Sequence, residues 1–168
     1  AFEVRKVSED ISGNSGTIIG RYTTDSSGII VITGLEAGAY LIEEVQAPTN
    51  YLISENSKQQ AWLKADGTSV VEVTFANYPY GSLLITKVDA ITNKPLSNAK
   101  FKVTTGDGTA VGTSNGVFTT NSNGEILISN LKPDSYVVTE TEAPEGYVRD
   151  TEPQTVKIGT DGGTYKVQ

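Results

Sequence analysis

The sequence predicts an all-β chain folded as two tandem β-sandwiches, and three observations predict it. The first is an internal repeat: Thr23-Thr24-Asp25-Ser26-Ser27-Gly28 reappears as Thr119-Thr120-Asn121-Ser122-Asn123-Gly124. Without a gap, Leu35 maps to Leu131, Tyr40 to Tyr136, Glu44 to Glu140, Pro48 to Pro144 and Tyr51 to Tyr147, an offset of 96 throughout. A fixed period of that size means one folded unit used twice. The second is a succession of short β-rich runs bounded by Gly, Asn, Ser and Asp at roughly ten-residue spacing, the pattern of a sandwich. The third is that no segment carries a long helical stripe.

Taken in order, Thr17-Ile18-Ile19, Ile29-Ile30-Val31-Ile32 and Ala39-Tyr40-Leu41-Ile42 read as strands of the first copy. Ser69 to Phe75 reads as another, because it follows the turn signal Ala65-Asp66-Gly67. The second copy repeats the scheme with Leu83 to Val88, Phe101 to Thr104, Gly116 to Thr119, Glu125 to Ile128, Tyr136 to Thr139, Gln154 to Ile158 and Thr164 to Val167. The boundary falls in Asn77-Tyr78-Pro79-Tyr80-Gly81, which gives domains 1–79 and 80–168. That junction is short and stiffened by proline, so two sandwiches joined by it are expected to form a semi-rigid rod.

Composition narrows the function classes. The chain has no cysteine, hence neither a disulfide nor a thiolate metal site, and no histidine, the commonest general base and metal ligand. No metal site and no cofactor is expected. A formal net charge of -7 with no basic patch argues against nucleic acid and against adsorption to anionic membranes. No apolar run approaches membrane-spanning length.

The chemistry lies in strand parity, since alternate side chains share a face. In the second copy Tyr136, Val138 and Glu140 share one face, and in the first Tyr40, Ile42 and Glu44 do. Leu83, Ile85 and Lys87 share a face of another strand, and Val71, Val73, Phe75 and Asn77 of a third. Three apolar faces therefore end on one polar group each: Glu, Lys and Asn. One reading places these groups at the sandwich rim, where the face meets water. The other brings them together, because burying them is costly unless they pair or react. Burial favours the neutral forms of both amine and carboxyl. A neutral amine is a nucleophile, and a protonated carboxyl can hydrogen-bond an amide oxygen and polarise its carbon. Attack on the Asn side chain with loss of ammonia yields an isopeptide cross-link.

The order Lys87-Val88-Asp89, Pro95 to Phe101, Asn123-Gly124, Leu131 to Tyr136 and Glu140-Thr141-Glu142-Ala143-Pro144-Glu145-Gly146-Tyr147 resembles the collagen-adhesin B-type (Cna-B) domain, also called SpaA-type or prealbumin-like in Gram-positive pilins. The resemblance covers nearly the whole chain, twice. It implies reverse immunoglobulin-like sandwiches on sortase-anchored surface proteins, each with an autocatalytic Lys–Asn isopeptide bond assisted by a glutamate. Carried over by residue, it implies Lys87 as nucleophile and Glu140 as catalytic acid in the second domain. In the first it implies Glu44 as the acid and Asn77 as the acceptor. Ala1 to Val4 matches Lys100 to Val103, so the first domain's opening strand and its lysine are expected before residue 1. Tyr165 to Gln168 matches Val71 to Thr74, so the second acceptor is expected beyond the last residue. Lys6 is a poor substitute, because it lies on a different strand from the family lysine.

Gly146 and its counterpart Asn50 both tolerate positive φ, so a turn explains them. Trp62 is expected to serve packing, and Glu43 and Glu142 to be solvated. A glycosidase-like carboxylate pair is disfavoured, since neither Glu44 nor Glu140 has a second core-facing acid as partner. The leading function is a stalk or shaft module of a Gram-positive surface protein, pilin or adhesin. Its place would be extracellular and anchored to the cell wall through its parent, with neighbouring domains of that parent as partners. A ligand-binding adhesin domain recognising a host matrix protein is the alternative. A transthyretin-like hydrolase is the third reading, but such enzymes use histidines. The chain is thus expected to perform at most a single-turnover reaction on itself.

Overall fold

The structure, a computed structural model, describes residues 1–7, 16–68 and 70–168. Among these there is no helix, and the strands fall into two compact units, Ala1–Tyr78 and Pro79–Gln168.

The first unit contains β1 (Phe2–Val7), β2 (Thr17–Tyr22), β3 (Gly38–Glu44), β4 (Tyr51–Leu52) and β5 (Lys58–Leu63), with β6 (Tyr78–Pro79) at its edge. Four of them form an antiparallel sheet in the order β2-β1-β3-β5, and β4 pairs with β6. Strand β5 escaped the sequence reading because Lys58-Gln59-Gln60 lacks the β-branched and aromatic residues that mark strands.

The second unit is a two-sheet sandwich built from β7 (Gly81–Thr86), β8 (Lys100–Thr105), β9 (Val117–Thr119), β10 (Glu125–Leu131), β11 (Asp134–Glu142), β12 (Gln154–Ile158) and β13 (Thr164–Val167). One sheet has the order β10-β7-β13 and the other β12-β11-β8-β9. Strand β7 is central in its sheet, antiparallel to β10 and parallel to β13. Leu83, Ile85, Ile126, Ile128, Leu131 and Val167 from the first sheet pack with Phe101, Val103, Tyr136, Val138 and Ile158 from the second. The buried positions alternate along β7 and β11, as the period of two requires.

Two expected strands of the first unit are corrected. Ile29–Ile32 and residues 70–75 belong to no strand; Ser69, the first residue of the latter run, lies outside the described residues. Their counterparts, β10 and β13, both take their hydrogen bonds from β7. Among the described residues no strand stands in the place of β7 in the first unit. The β-rich composition is present, but the ladder partner is not, and a strand exists only through its ladder.

Burial follows from this. Buried apolar residues in the second unit number twelve, from Leu83 to Val167. Those described in the first number five: Val4, Val7, Ala39, Tyr40 and Leu41. Ile30, Ile32 and Leu35 are half-buried, whereas their counterparts Ile126, Ile128 and Leu131 are buried.

Candidate functional site

In the second unit the site is assembled by parity. Gly81, Leu83 and Ile85 of β7 point inward, and Lys87 continues that series one step past the strand. On β11 the inward series is Tyr136, Val138 and Glu140. The two series meet at one end of the sandwich. Lys87 Nζ donates to Glu140 Oε2 at 3.1 Å, and the same oxygen accepts the Asp150 backbone N–H at 2.7 Å. The Glu140 side chain is 2% exposed and that of Lys87 21%. Glu140 Oε1 is buried without a hydrogen-bond partner. An unpaired buried carboxylate oxygen is costly, so its retention asks for an explanation. Lys87 and Glu140 line a cavity of about 60 Å³ with Phe101, Asp150 and Gln168 at its wall. One water needs only ~10–15 Å³, so the cavity has room for a small polar group.

The loop after Lys87 is fixed by Asp89. Its Oδ1 accepts the backbone N–H groups of Ile91 and Thr92, and its Oδ2 accepts the Tyr147 hydroxyl at 2.9 Å. The N–H bonds, foremost that of Thr92, and then the Tyr147 hydroxyl hold the Asp89 carboxyl down to about 2. The same contact pushes the Tyr147 phenol up.

In the first unit the corresponding acid, Glu44, is also buried, at 3% exposure. Its Oε2 accepts a hydrogen bond from Asn77 Nδ2 at 2.7 Å, and the other Nδ2 hydrogen goes to the Leu52 carbonyl at 2.9 Å. A carbonyl accepts only, so Leu52 fixes which end of the Asn77 amide faces it. The carboxyl group therefore addresses the amide nitrogen. The sequence reading concerned a protonated carboxyl on the amide oxygen; in this structure Glu44 meets the amide nitrogen. Residues 73, 75 and 77 are half-buried and alternate with exposed neighbours, and the Phe75 ring lies 4.9 Å from that of Phe2.

The four sequence-derived residues thus form two pairs, Lys87 with Glu140 and Asn77 with Glu44. Lys6 forms an ion pair with Glu36, which raises its ammonium pKa. Asn50 and Gly146 adopt φ of 67° and 83°, the left-handed turn conformation. Glu43 and Glu142 pair with Lys58 and Lys100 near the surface. Trp62 departs from expectation: it is 54% exposed, lining a surface groove with Val7 and Ala39. The sequence reading missed Glu3, which is 8% exposed and paired with Arg5 and Arg21 on the sheet face opposite Glu44. The signal was present as Glu3-Val4-Arg5, two opposite charges two apart on one strand.

A family model for the SpaA prealbumin-like fold domain matches residues 1–78 and again residues 81–168. Serine-aspartate repeat-containing protein F of Staphylococcus epidermidis is 31% identical over 163 residues, covering 86% of this chain and 10% of that protein. The chain thus spans about a tenth of the length of the curated relatives it matches. Among solved structures, the Bacillus anthracis TIE protein is similar with 30% identity and a TM-score of 0.51, over 99% of this chain and 30% of that one. A streptococcal ancillary pilin is 29% identical with a TM-score of 0.47, over 98% of this chain and 55% of that one.

Proposed function

The chain belongs to the SpaA family of prealbumin-like fold domains, and we propose that its two units are structural modules of a Gram-positive cell-surface protein, each locked by an intramolecular isopeptide bond. The observation that carries this reading is the Lys87–Glu140 contact: an amine held 3.1 Å from a buried carboxylate, whose second oxygen is unpaired.

The chemistry follows from that contact. The ammonium of Lys87 passes a proton to Glu140, leaving a neutral amine and a neutral acid side by side. The amine attacks the side-chain carbonyl carbon of an asparagine, forming the new C–N bond. The carbon–nitrogen bond to the amide nitrogen breaks. That nitrogen leaves as an ammonium ion, taking up the proton that Glu140 returns and one from the attacking amine, and Glu140 ends as the carboxylate. With an aspartic acid acceptor, water leaves instead. In the first unit Glu44 already touches the leaving nitrogen of Asn77, the atom that must be protonated. The reaction runs once per domain.

By analogy with a disulfide, a bond that closes nearly a whole domain into a loop adds on the order of 3–5 kcal/mol. Tension along the chain then bypasses most of each sandwich. That property suits a stalk or shaft of a wall-anchored pilin or adhesin, with neighbouring domains of the same protein as partners. The test is intact-mass spectrometry of a protein that extends this chain on both sides, beside its Lys87→Ala variant. The expected mass is lower than the sequence mass by one ammonia or water per bond, with one such loss abolished by Lys87→Ala. A full unmodified mass in the parent refutes the cross-link.

A further inference from the structure

The inward faces of β5 and β12 each begin on a glutamine. Gln59 stands opposite Ile42 on β3 and Gln154 opposite Val138 on β11, the same place in the two copies. From there the inward series run Ala61, Leu63 and Val156, Ile158. Ile42 and Val138 are the inward residues next before Glu44 and Glu140, so each glutamine stands one row from the buried acid.

Both side chains make the same bond. Gln59 Nε2 donates to the Thr74 carbonyl at 2.5 Å, and Gln154 Nε2 to the Gln168 carbonyl at 3.1 Å. Thr74 and Gln168 are themselves counterparts, because Val71 to Thr74 matches Tyr165 to Gln168. The flanking residues differ, Gln60-Ala61-Trp62 in one copy and Thr155-Val156-Lys157 in the other, yet the bond is kept. Its place in the second unit is informative. The β7–β13 ladder ends at Val167, and Gln168 is the next residue. Gln154 also lines the cavity beside Lys87 and Glu140. The glutamine therefore takes hold of the last strand where its ladder stops, next to the buried pair.

In the first unit Thr74 precedes Asn77 by three residues, and residues 70–76 belong to no strand. Side chains alternate along an extended segment, so a slip of one residue turns Asn77 to the other face, and a slip of two carries it about 6.6 Å along. Either breaks its 2.7 Å contact with Glu44. Holding the Thr74 carbonyl leaves only about 10 Å of chain between the hold and Asn77.

We propose that Gln59 is a positioning residue for Asn77: its amide fixes the register of the segment that carries the acceptor, so that the Asn77 amide meets Glu44. Gln154 does the same for the last strand of the second unit. The consequence for bond formation rests on the cross-link reading above, whereas the positioning rests on the two hydrogen bonds alone. A side-chain amide suits the task, because an ionised carboxyl at the same place cannot donate to a carbonyl and an aliphatic chain has no donor.

The first arm of the test uses the isotopically labelled 168-residue chain. Nuclear magnetic resonance reads exchange protection of the Asn77 side-chain amide, with the backbone amides of β1 and β3 as the control for folding. Gln59→Leu should lower the Asn77 protection by about fivefold, the factor that one net hydrogen bond is worth, and leave β1 and β3 unchanged. Gln59→Glu supplies a readout that mere packing would not move. A protonated carboxyl donates to the Thr74 carbonyl and an ionised one does not. Taken relative to the parent at each pH, its Asn77 protection should approach parity below about pH 4 and fall to the leucine level above it. The second arm uses the protein extended on both sides and follows ammonia loss by intact mass after synthesis. There Gln59→Leu should slow the first unit's bond by about fivefold as well. Unchanged Asn77 protection in Gln59→Leu, a fall matched by β1 and β3, or a glutamate variant indifferent to pH overturns the proposal whatever the masses show. Lost protection with an unchanged rate of bond formation overturns the part of Gln59 in the reaction. If the parent never loses ammonia, the cross-link reading fails on its own test, and the protection measurements decide whether Gln59 positions Asn77.

Discussion

Removing Glu140 should destabilise the second unit far more than removing Glu140 and Lys87 together. The side chains are 2% and 21% exposed, so this is a mostly buried ion pair. Breaking such a pair from one side costs ~3–5 kcal/mol, because a charge is left without its partner. In Glu140→Leu the stranded group is Lys87, whose partial exposure lets water reach it, so the low end applies, about 3 kcal/mol. The Asp150 N–H loses its acceptor as well, but that residue is exposed and the added cost is about 1 kcal/mol. Lys87→Met strands a carboxylate that is almost wholly buried, so the upper end applies, about 4–5 kcal/mol. The double variant replaces two charges by apolar groups of similar size, a change that is often neutral or stabilising. It should therefore lie within about 2 kcal/mol of the parent, most of the residue being the Asp150 amide.

The assay is thermal unfolding of the 168-residue chain followed by circular dichroism. The chain has one tryptophan, Trp62, and it lies in the first unit, so its fluorescence serves as an internal control that should not move. For a domain of this size 1 kcal/mol shifts Tm by roughly 4–8 °C. Either single change should lower the second unit's transition by on the order of 15 °C or more, and the double change by less than about 15 °C. Additive losses in the double variant, or single losses below about 1 kcal/mol, would refute the coupling that the cross-linking reading needs.

Two further outcomes follow from the structure. Gly124→Ala should cost more than Gly28→Ala by at least about 1–2 kcal/mol in denaturant unfolding, because both meet the positive-φ penalty and only Gly124 adds overlap with the backbone of Lys87 and Leu96; equal costs would mean that this backbone yields to the added methyl. Asp89 has a folded pKa of about 2 against an ordinary 3.8, so its contribution is present above the ordinary value and is lost as pH falls through about 2. Asp89→Asn should therefore flatten part of the acid limb of the stability curve between those values, and an unchanged limb would mean the loop bonds contribute nothing.

How much of this was legible in the sequence depends on where each strand finds its partner. Strands β12 and β13 stand at the residues their composition indicated, because alternation, flanking turns and a neighbouring strand all agree there. The Lys87–Glu140 pair was legible for the same reason: parity fixes the face, and a buried face leaves few places to go. Glu3 was legible only in part: Arg5 stands two residues along its own strand, whereas Arg21 lies on β2, and a partner on an adjacent strand depends on register. Ile29–Ile32 and the run ending at Phe75 show the opposite failure. Their composition says strand in the first copy as clearly as in the second, yet only the second copy gives them a ladder.

That contrast between two copies of one sequence pattern is the strongest argument the molecule offers about itself. Propensity, turn chemistry and the buried glutamate are shared by both, so none of them explains the difference in buried core. Among the described residues, what differs is one central strand. It supplies ladder hydrogen bonds to both neighbours, two large inward side chains and the lysine that reaches the glutamate. In the second unit a single element completes the sheet, the core and the Lys87–Glu140 pair at once, so under the cross-link proposed above the amine meets its acid only where β7 is inserted with Leu83 and Ile85 buried, and the bond would lock a folded module.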